Sequence, residues 1–411
     1  MSLEPKTLIL LIPIVIIALY FLVKYPEVSF ALFINAYVLK GGINFGYFNL
    51  TAILLVVTVA GFILKQLIKK DKDSINLNFK LESSDKFILL FVAVLVIGCI
   101  YSLNRSWGII KALRFIILVF VPYLLARLFL VKGNQIKLFL ISVSITALGI
   151  SLLLVLISIF GKYTGGRMYF LQANPIPVAT LIMVGLTIFI IGMTHNMFNG
   201  GKYGKLFWGI AIIPLLYSIF LVGSRGPLIS ITIGLIFYFL IIFRKKEQIK
   251  IVGIMTIILL FLIFIWISYS DIICTNPVVN KIIPNAGRLS MASAKGMSGR
   301  LKIYFDAWQL FKDKPLFGIG TGGFPGGYPH NIFLEIATEN GLLGLIIFFG
   351  FLFTICQKGY QFLNDNFVKI NKQAKIMGLI ILIVSVSLFT ERQFSFGLDM
   401  HKDLFVFFGL I

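Results

Sequence analysis

Acidic residues are scarce in this sequence. Only 16 aspartates and glutamates stand against 37 lysines and arginines in 411 residues, and charged residues together make up 13%. Soluble domains carry about 25% charged residues, so a soluble globular chain is excluded. Cysteine and histidine are scarce too, at three each. Cys99 and Cys356 lie in apolar runs and Cys274 in a loop, which leaves no disulfide framework and no metal-spacing motif. The first apolar run lacks a small-residue cleavage site, so it is expected to stay in the membrane as a helix. There is no internal repeat and no low-complexity tract. The segments expected outside the membrane hold too few carboxylates for a Mg²⁺ cage, and no metal or cofactor is expected.

What the chain has in abundance is apolar length. It is 59% hydrophobic with a mean hydropathy of +0.98, and 41 of its residues are Phe. A helix needs about 20 apolar residues to cross a bilayer. Candidate spans are 7–23, 28–39, 50–64, 86–103, 108–130, 135–160, 175–193, 206–222, 227–243, 249–270, 331–356 and 376–390, with a further terminal run at 396–411. The second is short enough to be a half-helix. The fold class is therefore an all-α polytopic membrane protein with about twelve transmembrane helices. It divides into helices over 1–270, a large extracytoplasmic loop with an amphipathic helix over 271–330, and C-terminal helices over 331–411. Leu301, Tyr304, Phe305, Trp308 and Phe311 share one face of a helix expected at 299–314, suited to lying on the membrane or packing over a cavity, and Pro315 would stop it.

The net charge of +21 does not point to nucleic acid, because the lysines sit in short loops between apolar runs, as the positive-inside rule requires. Lysine-bearing loops at 65–86, 127–137, 194–205, 244–250 and 357–375 are placed inside. Loops 104–107, 161–174, 223–226, 271–330 and 391–395 then fall outside. Arginine runs the other way: six of nine, Arg105, Arg167, Arg225, Arg288, Arg300 and Arg392, map to the outer side. A planar guanidinium suits bidentate binding of phosphate oxygens, so the set points to an anionic headgroup such as a lipid-linked diphosphate. Pairing with bilayer phosphates or helix ends is the plainer alternative for any single one.

The longest stretch unlike a membrane span runs from Ser298 to Gly344. Gly318, Gly320 and Gly323 satisfy G-x-G-x-x-G, yet no strand precedes them and no G-K-[S/T] follows, so neither a dinucleotide site nor a P-loop is indicated. Two readings stand for this glycine run: a tight backbone that approaches a substrate, or a flexible turn returning the chain to the membrane. His330 opens the next apolar helix and could take a proton from a sugar hydroxyl or orient it; a helix-capping histidine is the alternative. Glu335 and Glu339 are four residues apart on one face of that helix. As ionisable groups at membrane depth they are functional candidates, set to orient His330 or to pair with an arginine such as Arg300. Arg225 sits in the tight turn G-S-R-G-P-L, with Pro227 in the first turn of the next helix, whose amino end favours a diphosphate. Arg167 precedes N-P-I-P-V-A, where the same geometry is expected to recur.

The ordered set G-S-R-G-P-L, S-G-R-x7-W, K-P-L-F-G-I-G-T-G and P-H-N-x9-G-x-x-G, over roughly 220–350, resembles the O-antigen ligase and Wzy-type polymerase superfamily. The resemblance implies a metal-independent, inverting glycosyltransferase of the GT-C type. It would act at the outer, periplasmic face of the bacterial inner membrane. Its donor would be an undecaprenyl-diphosphate-linked glycan, and its acceptor a hydroxyl of lipid A-core or of a growing glycan. By the same resemblance Arg225 and Arg300 would hold the diphosphate, His330 would activate or position the acceptor hydroxyl, and Arg167 matches less closely. The H-N-x9-G-x-x-G spacing leans to ligase over repeat-unit polymerase. A flippase of lipid-linked sugars is a third reading, disfavoured because its sites would lie near the midplane between repeats.

Overall fold

A computed structural model describes residues 5–40, 49–68, 80–161, 168–171, 173–195, 197, 201–242, 294–369 and 372–411. Among them all regular structure is helical, with no strand. The helices are α1 (Pro5–Lys24), α2 (Pro26–Ile34), α3 (Ala36–Lys40), α4 (Leu50–Ile68), α5 (Ser83–Gly98), α6 (Arg105–Phe115), α7 (Val121–Phe129), α8 (Gly133–Phe160), α9 (Pro175–Thr194), α10 (Gly201–Val222), α11 (Arg225–Ile242), α12 (Ala294–Asp313), α13 (Ile332–Lys369), α14 (Lys372–Glu391) and α15 (Lys402–Gly409).

Seven of these segments are long and apolar enough to cross a bilayer, with α6 and α7 counted as one. An eighth results if α1 and α2, which meet at 106°, form one broken span. The chain is a multi-pass membrane protein. Among the described residues the count is below twelve for these reasons. Residues 28–39 break into α2 and α3, and Pro26 starts a new helix because it has no N–H to continue the old one. α5 stops after 16 residues. The terminal run at 396–411 is not a span: α15 has eight residues, and Leu404, Phe405, Val406 and Phe407 are all fully buried inside the bundle. At 1.5 Å per residue it covers only about 12 Å. The span expected at 249–270, with Arg288 and Cys274 after it, lies outside the described residues.

The centre of the bundle is α9, where Val178 to Gly192 are almost continuously buried. It packs against α8, α10, α11 and α14. Gly185 lets α9 and α8 touch, since a Cβ there would stand 2.3 Å from Ala147 Cβ. Small residues at such crossings are how helices approach closely in lipid. Between α6 and α7 the chain makes one π-helical turn, Ile116–Phe120, just before Pro122. A proline cannot donate to the turn before it, and the widened turn absorbs that loss.

The glycine run builds the joint between α5 and α13. α13 is broken at Gly341, with φ 64° and ψ −159°. The break frees backbone groups at a depth where water is scarce, and each must be satisfied by protein. Residues 315–320 do so. Ile319 and Gly320 donate to the carbonyls of Thr338 and Glu339 at 2.9 Å each, while Leu342 and Leu343 donate to those of Pro315 and Leu316 at 2.8 and 3.2 Å. The other side of the loop is stitched to the end of α5. Thr321 N donates to Gly98 O, Leu103 N to Ile319 O, and Thr321 Oγ1 to Leu95 O. Gly320 has φ +90°, and a Cβ there would lie 2.3 Å from Ser102 Cα. The close approach is therefore to the protein's own backbone, which neither sequence reading of the run anticipated. Within the run, Gly326 and Gly327 face open space. Gly320→Ala combines a left-handed backbone that penalises side chains by about 1–3 kcal/mol with a clash against rigid main chain. The variant is expected to lose most of its detergent-stable, monodisperse protein in fluorescence-detected size exclusion, whereas Gly326→Ala keeps it.

Candidate functional site

His330 sits at the junction between the glycine-rich loop and α13. Asn331 fixes the junction: its Oδ1 accepts from Leu334 N at 3.0 Å, capping the helix, and its Nδ2 donates to Gln393 O at 3.3 Å. His330 itself has φ +59°. Non-glycine residues in that region carry strain and cluster at functional sites. Its ring is half-buried and packs edge-on against Tyr328 with centroids 4.7 Å apart. Burial holds the imidazole below its ordinary pKa, and the nearby Arg300 guanidinium pushes it the same way. The imidazole is thus kept neutral, the form that accepts a proton.

Arg300 lies in α12, which extends over Ala294–Asp313. Leu301, Phe305 and Trp308 are exposed on this helix, as are Leu316 and Phe317 after it, whereas Ala307 is buried and its carbonyl accepts from Thr338 Oγ1 at 3.0 Å. The small face of α12 therefore packs on α13, and the large apolar residues point away from the protein, as suits a helix lying at a bilayer surface. Arg300 is exposed and acts electrostatically on His330, Tyr304 and Glu391.

Arg225 is the first residue of α11, after Gly223 at φ +62° and buried Ser224. A Cβ on the neighbouring Gly226 would stand 3.8 Å from Glu391 Oε1. The backbone next to Arg225 thus approaches Glu391, on which Arg300 also acts electrostatically. The segment after α14 is the hub: Glu391 pairs with Arg392 at 2.7 Å and accepts from Ser395 Oγ, Arg392 also pairs with Asp403, and Gln393 receives Asn331. Arg167 lies outside the described residues.

Among the described residues, the ion-pair partner of Glu335 and Glu339 is neither His330 nor Arg300. Both bind Lys111, whose Nζ is 2.5 Å from Glu335 Oε1 and 2.6 and 2.7 Å from the two oxygens of Glu339. All three side chains are at most 3% exposed. The reason is geometric. α6 enters the bundle beside the start of α13, whereas Arg300 is on the exposed α12. Each carboxylate also holds a connecting segment: Glu339 accepts from Gly322 N at 2.9 Å, and Glu335 from Leu398 N at 3.0 Å. Lys111 was the residue that sequence reasoning missed. Its signal was there, a lone lysine inside the apolar run 108–130, which membrane energetics marks for pairing.

Elsewhere, His195 is hydrogen-bonded to Tyr238 at 2.9 Å at the other end of α9, and His401 is fully buried. Among the described residues no group of three or more His, Cys, Asp or Glu is placed to hold a metal ion.

Residues 210–349 match the family model described as O-antigen ligase. The matched segment runs from α10 through Arg225, α12 and the glycine loop to beyond the break in α13, and it contains His330, Glu335 and Glu339. No curated protein matches the chain.

Proposed function

We propose that this chain, a member of the O-antigen ligase/polymerase superfamily through its 210–349 domain, is a ligase. It would transfer a finished glycan from undecaprenyl diphosphate to a hydroxyl of lipid A-core, at the outer face of the inner membrane. What supports the reading is the convergence of three elements on the turn at Glu391–Gln393: the start of α11, whose Gly226 approaches Glu391; α12, whose Arg300 acts on Glu391 and His330; and the junction at His330, whose neighbour Asn331 donates to Gln393.

In the proposed reaction the acceptor oxygen attacks the anomeric carbon on the side opposite the diphosphate. A carbon–oxygen bond to the acceptor forms as the bond to the diphosphate breaks, and the bonding pair leaves on the phosphate oxygen. The acceptor proton passes to the neutral imidazole of His330. Guanidinium groups of Arg225 and Arg300, with Arg167 as a third candidate, take up the charge developing on the leaving group. Lys111, Glu335 and Glu339 touch no reacting atom in this scheme; they hold the loop and the 398 segment in place.

Deleting the gene and running the cell's surface glycans on a gel tests the assignment. Loss of polymer from lipid A-core, with polymer accumulating on the carrier, is expected. A single capped repeat would mean a repeat-unit polymerase instead, and an unchanged ladder would refute both. The H-N-x9-G-x-x-G spacing is what favours ligase over polymerase.

His330→Ala should abolish transfer while leaving the protein in the membrane. In wild type the acid limb of the rate profile should lie below the ordinary imidazole value, because burial and Arg300 both disfavour the imidazolium. Removing the cation favours protonation, so in Arg300→Gln the limb should move to higher pH. A limb that stays in place would remove His330 from the role of base.

A further inference from the structure

A second feature of the outer half is a cavity of about 110 Å³ between α3, α6, α9 and the segment 392–403. About 10–15 Å³ of such space suffices for one water, so it has room for a larger guest. Its lining is unlike the rest of the bundle. Arg114 and Asp399 meet in it at 3.1 Å, Arg392 and Asp403 pair beside them, and the rings of Tyr37 and Phe396 stand edge to face at 6.5 Å. One buried polar atom of this lining, Arg392 Nε, has no hydrogen-bond partner, although Arg392 is only 3% exposed. Buried polar atoms are rarely left so without a reason.

Tyr328 links the cavity to His330. The Tyr328 ring, which packs on His330, lies 3.1 Å from where a Cβ of Gly397 would stand, and it feels the charges of Asp399 and Arg114. Arg392 marks the divide: one side of its guanidinium meets Glu391, the neighbour of Arg300 and Gly226, and the other meets Asp403. Paired carboxylates and guanidinium groups offer acceptors and donors to neutral hydroxyls, and aromatic walls offer apolar faces to ring C–H groups. That is the chemistry of a sugar.

We propose that this cavity is the subsite for the terminal sugar of the acceptor glycan, with Asp399 and Arg114 binding its hydroxyls and Tyr37 flanking its ring. The proposal rests on the glycosyl-transfer reading above. It places the acceptor on the Tyr328 side of His330 and the donor diphosphate on the Arg300 side.

The test uses the full chain in phospholipid vesicles. Radiolabelled carrier-linked glycan from producing cells serves as donor, and glycolipid from a deletion strain serves as acceptor at a series of concentrations. Thr51, half-buried on the cavity wall, is changed to Trp to fill the space. Tyr37→Ala, at a ring 49% exposed, removes the wall without overpacking. Both should raise the acceptor concentration for half-maximal rate by tenfold or more, with the donor concentration for half-maximal rate and retention of labelled donor unchanged. Acceptor dependence that is unchanged in both folded variants overturns the subsite while leaving transfer intact, as does an equal loss on the donor side. Wild-type vesicles that transfer nothing would overturn the proposed function and this subsite together.

Discussion

Lys111→Met is expected to leave almost no folded protein in the membrane. The side chain is isosteric enough to fill the space, so packing is not what fails. What fails is charge. Lys111 is the single cation between two carboxylates one helical turn apart, and Glu335, Glu339 and Lys111 are essentially sealed from solvent. Removing one member of a buried ionic cluster costs about 3–5 kcal/mol because the others stay buried without compensation. A typical domain has about 5–15 kcal/mol in all. The two carboxylates also hold Gly322 and Leu398, so the damage reaches both the loop ending at His330 and the segment carrying Arg392 and Asp399. Full-length protein per cell and thermal unfolding in detergent measure the effect; wild-type values for the variant would disprove the ionic account. Lys111→Met combined with Glu339→Gln removes one charge of each sign and should recover much of the folded protein. Its transfer rate should nonetheless stay low if the cluster positions the loop, since a glutamine oxygen accepts Gly322 N less strongly than a carboxylate does. Recovery of rate in step with fold would reduce the cluster to a purely structural role.

The all-helical membrane class was legible from composition, because apolar length of that kind has no other outcome. Spans with clean ends, such as α9 from Pro175 and α11 from Arg225, were legible too. The terminal run was not, since hydropathy alone cannot separate a helix facing lipid from one such as α15 buried inside the bundle. The glycine run was misjudged for a related reason. A positive φ at Gly320 tells of a constrained backbone, but what approaches it, substrate or the protein's own α5, is a tertiary fact. Arg225, Arg300 and His330 stood out because rare charged groups beside turns are conspicuous in apolar sequence. Glu335 and Glu339 were equally conspicuous, yet their partner lies 224 and 228 positions away, and nothing in a one-dimensional pattern ranks Lys111 above the nearer arginines.

Arg225→Ala should cut glycan transfer by about 10²–10³, the effect typical of losing one donor to a developing oxyanion, and Arg300→Ala by a smaller factor of about ten. The difference follows from surroundings. Arg225 is half-buried at the amino end of α11, whose partial positive charge adds to its own. Arg300 is exposed, where water and salt weaken any pairing. Raising ionic strength from about 0.05 to 0.5 M shortens the screening length severalfold. The wild-type advantage over Arg300→Ala should therefore shrink with salt, while the advantage over Arg225→Ala persists. Arg225→Lys should rescue little, because a point charge cannot reproduce a planar fork on two phosphate oxygens. If both arginines hold one diphosphate, their losses are coupled, and the double variant should fall by less than the product of the single effects. Initial rates of transfer in vesicles, for the four members of the cycle at two salt concentrations, decide it. Strict multiplicativity would separate the two arginines into independent roles, and equal salt dependence would remove the argument from burial.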